Sequence, residues 1–292
     1  MAFWGVIVPL ITPLNPDETV DVGSLRECVR WVLQAGVHGI LAGGSMGEYP
    51  SLEEKEKEKV FETICGEAAG RAVVLLNISD TGEKRVLENL RRVRDLSADA
   101  YVLTPPYYFV YNSLELESFF FRVADSTKKP LFVYNIPEFV GNALSGDDVL
   151  ALSRHPNIVG LKDSSGNFAE LTSLLLEKPD AFYVFQGYTE MSFPSLIMGC
   201  CGLISGLSNV VPEWFVKLFS LVREGKWTEA KVLQQTINRV NRVLVRHGFL
   251  PAVKYTLSLR RLCASQATSP FGEVSPEGKE EIAAVLQKYG VI

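Results

Sequence analysis

Apolar residues fall along this chain in short, nearly unbroken runs, and the stretches between them place apolar positions three and four apart. The runs are WGVIVPL at 4–10, VHGILAG at 37–43, RAVVLLN from 71 and DAYVLTP from 99, followed by KPLFVYNIP from 129, NIVGLKD from 157, AFYVFQG from 181 and CGLISG from 201. Runs without strict polar alternation suit strands covered on both faces, as in parallel sheets. Helical periodicity between them predicts helices at 25–34, 51–70, 81–96, 114–125, 145–154, 167–176 and 190–198. Ser51 followed by Glu54 reads as a capping box opening the second of these. Eight alternating units before residue 210 favour a closed (β/α)8 barrel over an open sheet.

Beyond Pro212 the pattern is purely helical, at 212–224, 227–247, 251–263 and 276–289. The first of these completes the eighth unit. The reading is therefore a barrel over 1–224 and a C-terminal three-helix extension over 225–292 packed on it, because no Gly/Ser linker or charge block separates the two.

Composition narrows the function classes. A net charge of −5, from 29 basic against 34 acidic residues, gives no support to a nucleic-acid binder working by phosphate neutralisation. No apolar stretch approaches the roughly 18 to 20 residues of a spanning helix, and the apolar N-terminus lacks a basic leader, so a cytoplasmic protein with no membrane partner is expected. Five scattered Cys form no disulfide or zinc pattern, and His38, His155 and His247 lie too far apart for a metal motif. Neither metal nor cofactor is expected.

In a barrel the reactive groups stand at the C-terminal ends of strands and in the loops that follow. The polar residues there are Ser45, Asn77, Thr104 to Tyr108, Tyr134, Asn135, Lys162, Asp163, Gln186 and Ser205. Lys162 closes an apolar strand in IVGLKDSSG, where desolvation favours a neutral, nucleophilic amine. It could equally snorkel from the strand end or pair with Asp163. Tyr134, at the end of the neighbouring strand, is either a proton carrier for an imine on Lys162 or a rim residue. GGSMGE at 43–48 lacks the spacing of a nucleotide loop. Its glycines form either a tight turn or a small nest of amides for a carboxylate.

Several motifs in order, VPLITPL at 8–14, GGSMGEYPSLEEKEK at 43–57, TPPYY at 104–108, YNIP at 134–137, IVGLKDSSGN at 158–167, GLISGLSNVVPE at 202–213 and LPAVKYTL at 250–257, resemble the dihydrodipicolinate synthase and N-acetylneuraminate lyase family. The resemblance runs nearly end to end. It implies a pyruvate-handling class I aldolase or lyase in which Lys162 forms the imine, Tyr134 relays protons, and Ser45 stands between the relay and the carboxylate site. It further implies that Tyr108 reaches into a neighbour's site, in a homodimer or a dimer-of-dimers tetramer, and that Gly44, Met46, Ser164, Gly187 and Ser205 line the 2-oxo acid pocket.

Two departures bear on substrate. Met46 stands where most members of the family carry Thr, leaving only a backbone donor for the carboxylate. Phe139 stands where the synthase pattern has an arginine that grips aspartate semialdehyde, and a phenyl ring offers no bidentate clamp. The reading favoured is cleavage of a 2-keto-3-deoxy sugar acid such as 2-keto-3-deoxygluconate to pyruvate and an aldehyde. Hydroxyls and amides expected at the mouth to meet such a substrate are those of Ser164, Asn167, Gln186, Tyr188 and Ser208. The alternatives are the synthase, N-acetylneuraminate lyase, 4-hydroxy-2-oxoglutarate aldolase, and a non-catalytic 2-oxo-acid-binding regulator or scaffold on the same barrel.

Overall fold

The computed structural model describes residues 2–292. Among them eight parallel strands close in sequence order into a barrel, β1 to β8 with β8 returning to β1. They are β1 Gly5–Pro9, β2 Gly39–Ala42, β3 Val73–Asn77, β4 Ala100–Leu103, β5 Leu131–Asn135, β6 Ile158–Asp163, β7 Tyr183–Gln186 and β8 Gly202–Leu203. The helices between them are α1 Val22–Gln34, α2 Glu54–Ala68, α3 Glu83–Val93, α4 Ser113–Asp125, α5 Pro137–Val140, α6 Gly146–Leu152, α7 Phe168–Glu177 and α8 Ser192–Ile197, and α9 Pro212–Arg223 follows β8. The C-terminal helices α10 Trp227–Arg246, α11 Phe249–Leu259 and α12 Pro276–Lys288 pack on one another, and α10 also lies against α8 and α9. None of the described helices is long and apolar enough to cross a membrane.

The two faces of the barrel wall build two separate cores. Phe3, Ile7, Leu41, Leu75, Ala100, Val102, Phe132, Tyr134, Phe185 and Ile204 fill the interior. Their outward neighbours, such as Val8, Ile40, Leu76, Val133 and Leu161, join the larger layer under the helices. Both faces being apolar is why the strands show no alternation in sequence. The interior is plugged by aromatic edges: the Phe132 ring meets Phe3 at 5.0 Å and Phe185 at 6.0 Å. Gly160, two residues before Lys162 on the same face of β6, makes room for that plug. A Cβ there would lie 2.4 Å from the Phe132 ring and equally close to the Tyr183 carbonyl oxygen, an overpacking worth about 1–3 kcal/mol or more.

Local expectations fail in instructive places. Ser51 caps nothing: Glu48 adopts a left-handed conformation and Tyr49–Ser51 form a separate 3₁₀ turn through Pro50, so α2 begins only after Glu53, which gives no side-chain cap. Reciprocal capping boxes occur instead at Asn112 with Glu115 and at Ser145 with Asp148. The one-turn helix α5 had no periodic signal to reveal it. The helix expected over 251–263 runs from Phe249 to Leu259, because Gly248 frees the backbone to start earlier and Pro251 fits the first turn, whose N–H groups need no partner.

Candidate active site

Strand register brings the reactive groups together. Tyr134 on β5 and Lys162 on β6 are directly paired, both on the inward face at the C-terminal end of the barrel. Lys162 is only 2% exposed, its Nζ lies 3.7 Å from the centre of the Tyr134 ring, and among the described residues no carboxylate pairs with it. The snorkelling and ion-paired readings therefore fall. Asp163 points the other way and accepts hydrogen bonds from Ser165 N (3.4 Å), Ser165 Oγ (3.1 Å) and Asn135 Nδ2 (3.4 Å). Burial raises the Asp163 carboxyl above its ordinary range, only partly offset by these donors.

The Tyr134 hydroxyl, itself almost wholly buried, lies 3.5 Å from Ser45 Oγ. Ser45, Met46 and Gly47 form a 3₁₀ turn after β2, with Gly44 preceding it. Gly44 O accepts from Gly47 N and Ser45 O from Glu48 N, so the bonds of the turn begin at the Gly47 amide and leave the Ser45 and Met46 amides free of them. That is the donor arrangement a carboxylate takes. Thr12 Oγ1 donates to Gly47 O (2.8 Å) and Asn77 Nδ2 to Gly43 O (2.7 Å), fixing the turn from the segment after β1 and from the end of β3.

The remaining candidates divide. Gly187 N donates to Asp163 O (2.6 Å), and a Cβ at Gly187 would collide with Ser164 Oγ, so the strand ends of β6 and β7 touch where the pocket is expected. The Ser205 hydroxyl is buried and engaged by Thr189 Oγ1 at 2.7 Å. Tyr188 is exposed, and Phe139, on α5, is 63% exposed. Three residues expected to offer polar groups at the mouth do not. Gln186 is fully buried, donates to Ser195 Oγ (3.0 Å) and accepts from Tyr188 N (2.6 Å). Ser208 is buried with its hydroxyl on Ser205 O, and Asn167 caps α7 through Glu170. Each sits on an outward or helix-start position, which strand-end sequence alone does not distinguish from an inward one.

Tyr108 stands apart. It is 86% exposed in a left-handed conformation (φ 90°), where a bulky side chain is strained, and its ring meets Phe109 rather than Ser45 or Tyr134. Tyr107 leans the other way, onto the barrel interior, and burial pushes its phenol up to about 12. The loop is held by a residue the sequence did not single out: Asn142 Nδ2 donates to Pro106 O (2.8 Å) and Phe109 O (2.7 Å), while its Oδ1 accepts from Tyr111 N. The three histidines serve locally: His38 Nδ1 accepts from Val6 N, His155 meets Asp125 and His247 meets Glu281.

The chain as a whole is similar to known proteins. The profile of the Dihydrodipicolinate synthetase family matches residues 2–289. The 4-hydroxy-tetrahydrodipicolinate synthase of Methanosphaerula palustris is 32% identical over 290 residues, covering 98% of this chain and 99% of its own. A probable mitochondrial 4-hydroxy-2-oxoglutarate aldolase of Emericella nidulans is likewise 32% identical, over 98% of this chain and 93% of its own. Among solved structures, the chloride-inhibited dihydrodipicolinate synthase of Acinetobacter baumannii, complexed with pyruvate, superposes with a TM-score of 0.96 at 27% identity, covering 100% of both chains.

Proposed function

The chain belongs to the dihydrodipicolinate synthetase family of pyruvate-dependent aldolases and lyases, and on that premise we propose that it is a Schiff-base aldolase cleaving a 2-keto-3-deoxy sugar acid to pyruvate and an aldehyde. The observation that carries this reading is the buried, unpaired Lys162 beside Tyr134, with Ser45 in reach of the phenol.

The chemistry follows from those positions. The substrate carboxylate takes the Ser45 and Met46 amides, and the Lys162 amine attacks C2. Loss of water leaves an iminium, which draws electrons from the C3–C4 bond as Tyr134 removes the proton from the C4 hydroxyl. The aldehyde departs, the enamine is protonated at C3, and water hydrolyses the iminium to pyruvate and free Lys162. Tyr108 of a second subunit would extend the relay from Ser45, in a homodimer or tetramer.

Phe139 argues for substrate class. Its exposed ring at the position of the synthase arginine supplies no charge for a distal carboxylate, which favours substrates whose far end is uncharged. With Gln186, Ser208 and Asn167 already engaged, Ser164 and Tyr188 are the side chains left to meet hydroxyls there. Cleavage of 4-hydroxy-2-oxoglutarate is the second reading, favoured by the Emericella relative. The deciding experiment compares kcat/KM for pyruvate release from a panel of 2-keto-3-deoxy acids and 4-hydroxy-2-oxoglutarate with condensation of pyruvate and aspartate semialdehyde. Higher condensation efficiency would overturn the reading of Phe139.

A further inference from the structure

The turn that presents the Ser45 and Met46 amides is gripped from outside the barrel. Glu48, one residue past it, carries a wholly buried carboxylate in a left-handed backbone conformation. Its partner is Lys254 on α11, also 0% exposed, and the two form an ion pair through Lys254 Nζ and Glu48 Oε1. The other carboxylate oxygen accepts from Thr268 N (2.6 Å) and Thr268 Oγ1 (2.8 Å), and Lys254 Nζ donates to Gln266 O (2.6 Å). Every one of these partners lies in the C-terminal extension, more than 200 residues along the chain from Glu48. A second grip lies on the loop after β8, across β1 from this turn. A Cβ on Gly206 would lie 2.7 Å from the Phe249 ring and 2.9 Å from Met46 Sδ, so Phe249 of α11 and Met46 of the turn both close on the same glycine.

We propose that Glu48 and Lys254 are a positioning pair, through which the C-terminal extension sets the amides that bind the 2-oxo acid carboxylate. The inference rests on the reading that this turn receives that carboxylate. A buried ion pair is a poor device for stability alone, because desolvating two charges cancels most of their attraction, whereas its hydrogen-bonded geometry is strict. Here that strictness falls on a turn whose donors must meet a carboxylate within a few tenths of an ångström. The extension is thereby part of the binding site and not only its cover.

The test measures the pyruvate concentration that half-saturates borohydride trapping at Lys162, together with the melting temperature. Lys254→Met leaves Glu48 buried and unpaired, so it should melt lower and need about tenfold more pyruvate or beyond, the scale on which small misplacements act. Glu48→Gln combined with Lys254→Met removes both charges, so melting should recover while half-saturation stays about tenfold raised. The double variant decides even if the single one does not fold. Half-saturation returning to the wild-type value along with melting would overturn the proposal, as would a single variant with unchanged half-saturation or a double variant unable to fold. A wild-type protein that forms no adduct would instead sink the aldolase reading, and the premise of this pair with it.

Discussion

Lys162 and Tyr134 stand directly opposite each other on adjacent parallel strands, with Lys162 Nζ 3.7 Å from the centre of the Tyr134 ring. The same tyrosine turns its hydroxyl to Ser45 at 3.5 Å. One side chain thus touches both the amine that attacks and the residue that leads toward the carboxylate site. Such a contact is set by register, since a shift of one residue would turn either group out toward the helices.

Incubation with pyruvate and borohydride should label Lys162 and no other lysine, as read by peptide mapping. Lys162→Ala should keep its melting temperature and lose turnover, and Lys162→Arg should not restore it, because a guidinium that stays charged cannot attack a carbonyl. An adduct on a different lysine would reject the mechanism.

Tyr134→Phe should lower kcat by about 10²- to 10⁴-fold, the range for removal of a proton-transfer group. Ser45→Ala removes only the 3.5 Å contact to the phenol, and a loss of about 1 kcal/mol corresponds to about fivefold in kcat. Steady-state kinetics on both variants ranks them, and the reverse order would place the relay on Ser45.

The exposure and strained backbone of Tyr108 predict a role that a single chain does not complete. Tyr108→Phe should lose turnover more than pyruvate affinity. Mixing it with Lys162→Ala protomers should restore activity, since a mixed dimer has one site with both native groups and one with neither. Full activity from a verified monomer would exclude the shared site.

Asp163 supplies a pH test. Burial raises its carboxyl in the folded chain, so the folded state holds the proton more tightly than the unfolded one. The resulting penalty is fully present above the folded-state value and fades as pH falls toward the unfolded value. Asp163→Asn should therefore melt at or above the wild-type temperature at pH 7, with the difference shrinking in acid. A lower melting temperature at pH 7 would show that the charged form is needed by Ser165 and Asn135.

The barrel and its order of strands were legible because eight apolar runs, each bounded by turn residues and separated by helical periodicity, admit few other arrangements. Lys162 and Tyr134 drew notice for a related reason, since a polar residue near the end of an apolar strand stands out against its neighbours, whereas Ser45, three residues past β2, and the roles of all three came from the family resemblance. What the sequence could not decide was direction. Gln186 and Lys162 both close apolar strands, yet one faces Ser195 under the helices and the other the barrel interior, a distinction made by register across the closed sheet. Nor did sequence give Glu48 and Lys254 a role, although both lie inside motifs of the resemblance, since the meaning of their charges comes only from meeting each other with all water excluded. Local pattern sets which elements form; contacts between residues hundreds of positions apart exist only once the barrel has closed and the C-terminal helices have packed against it, and those contacts decide which polar groups are free to react.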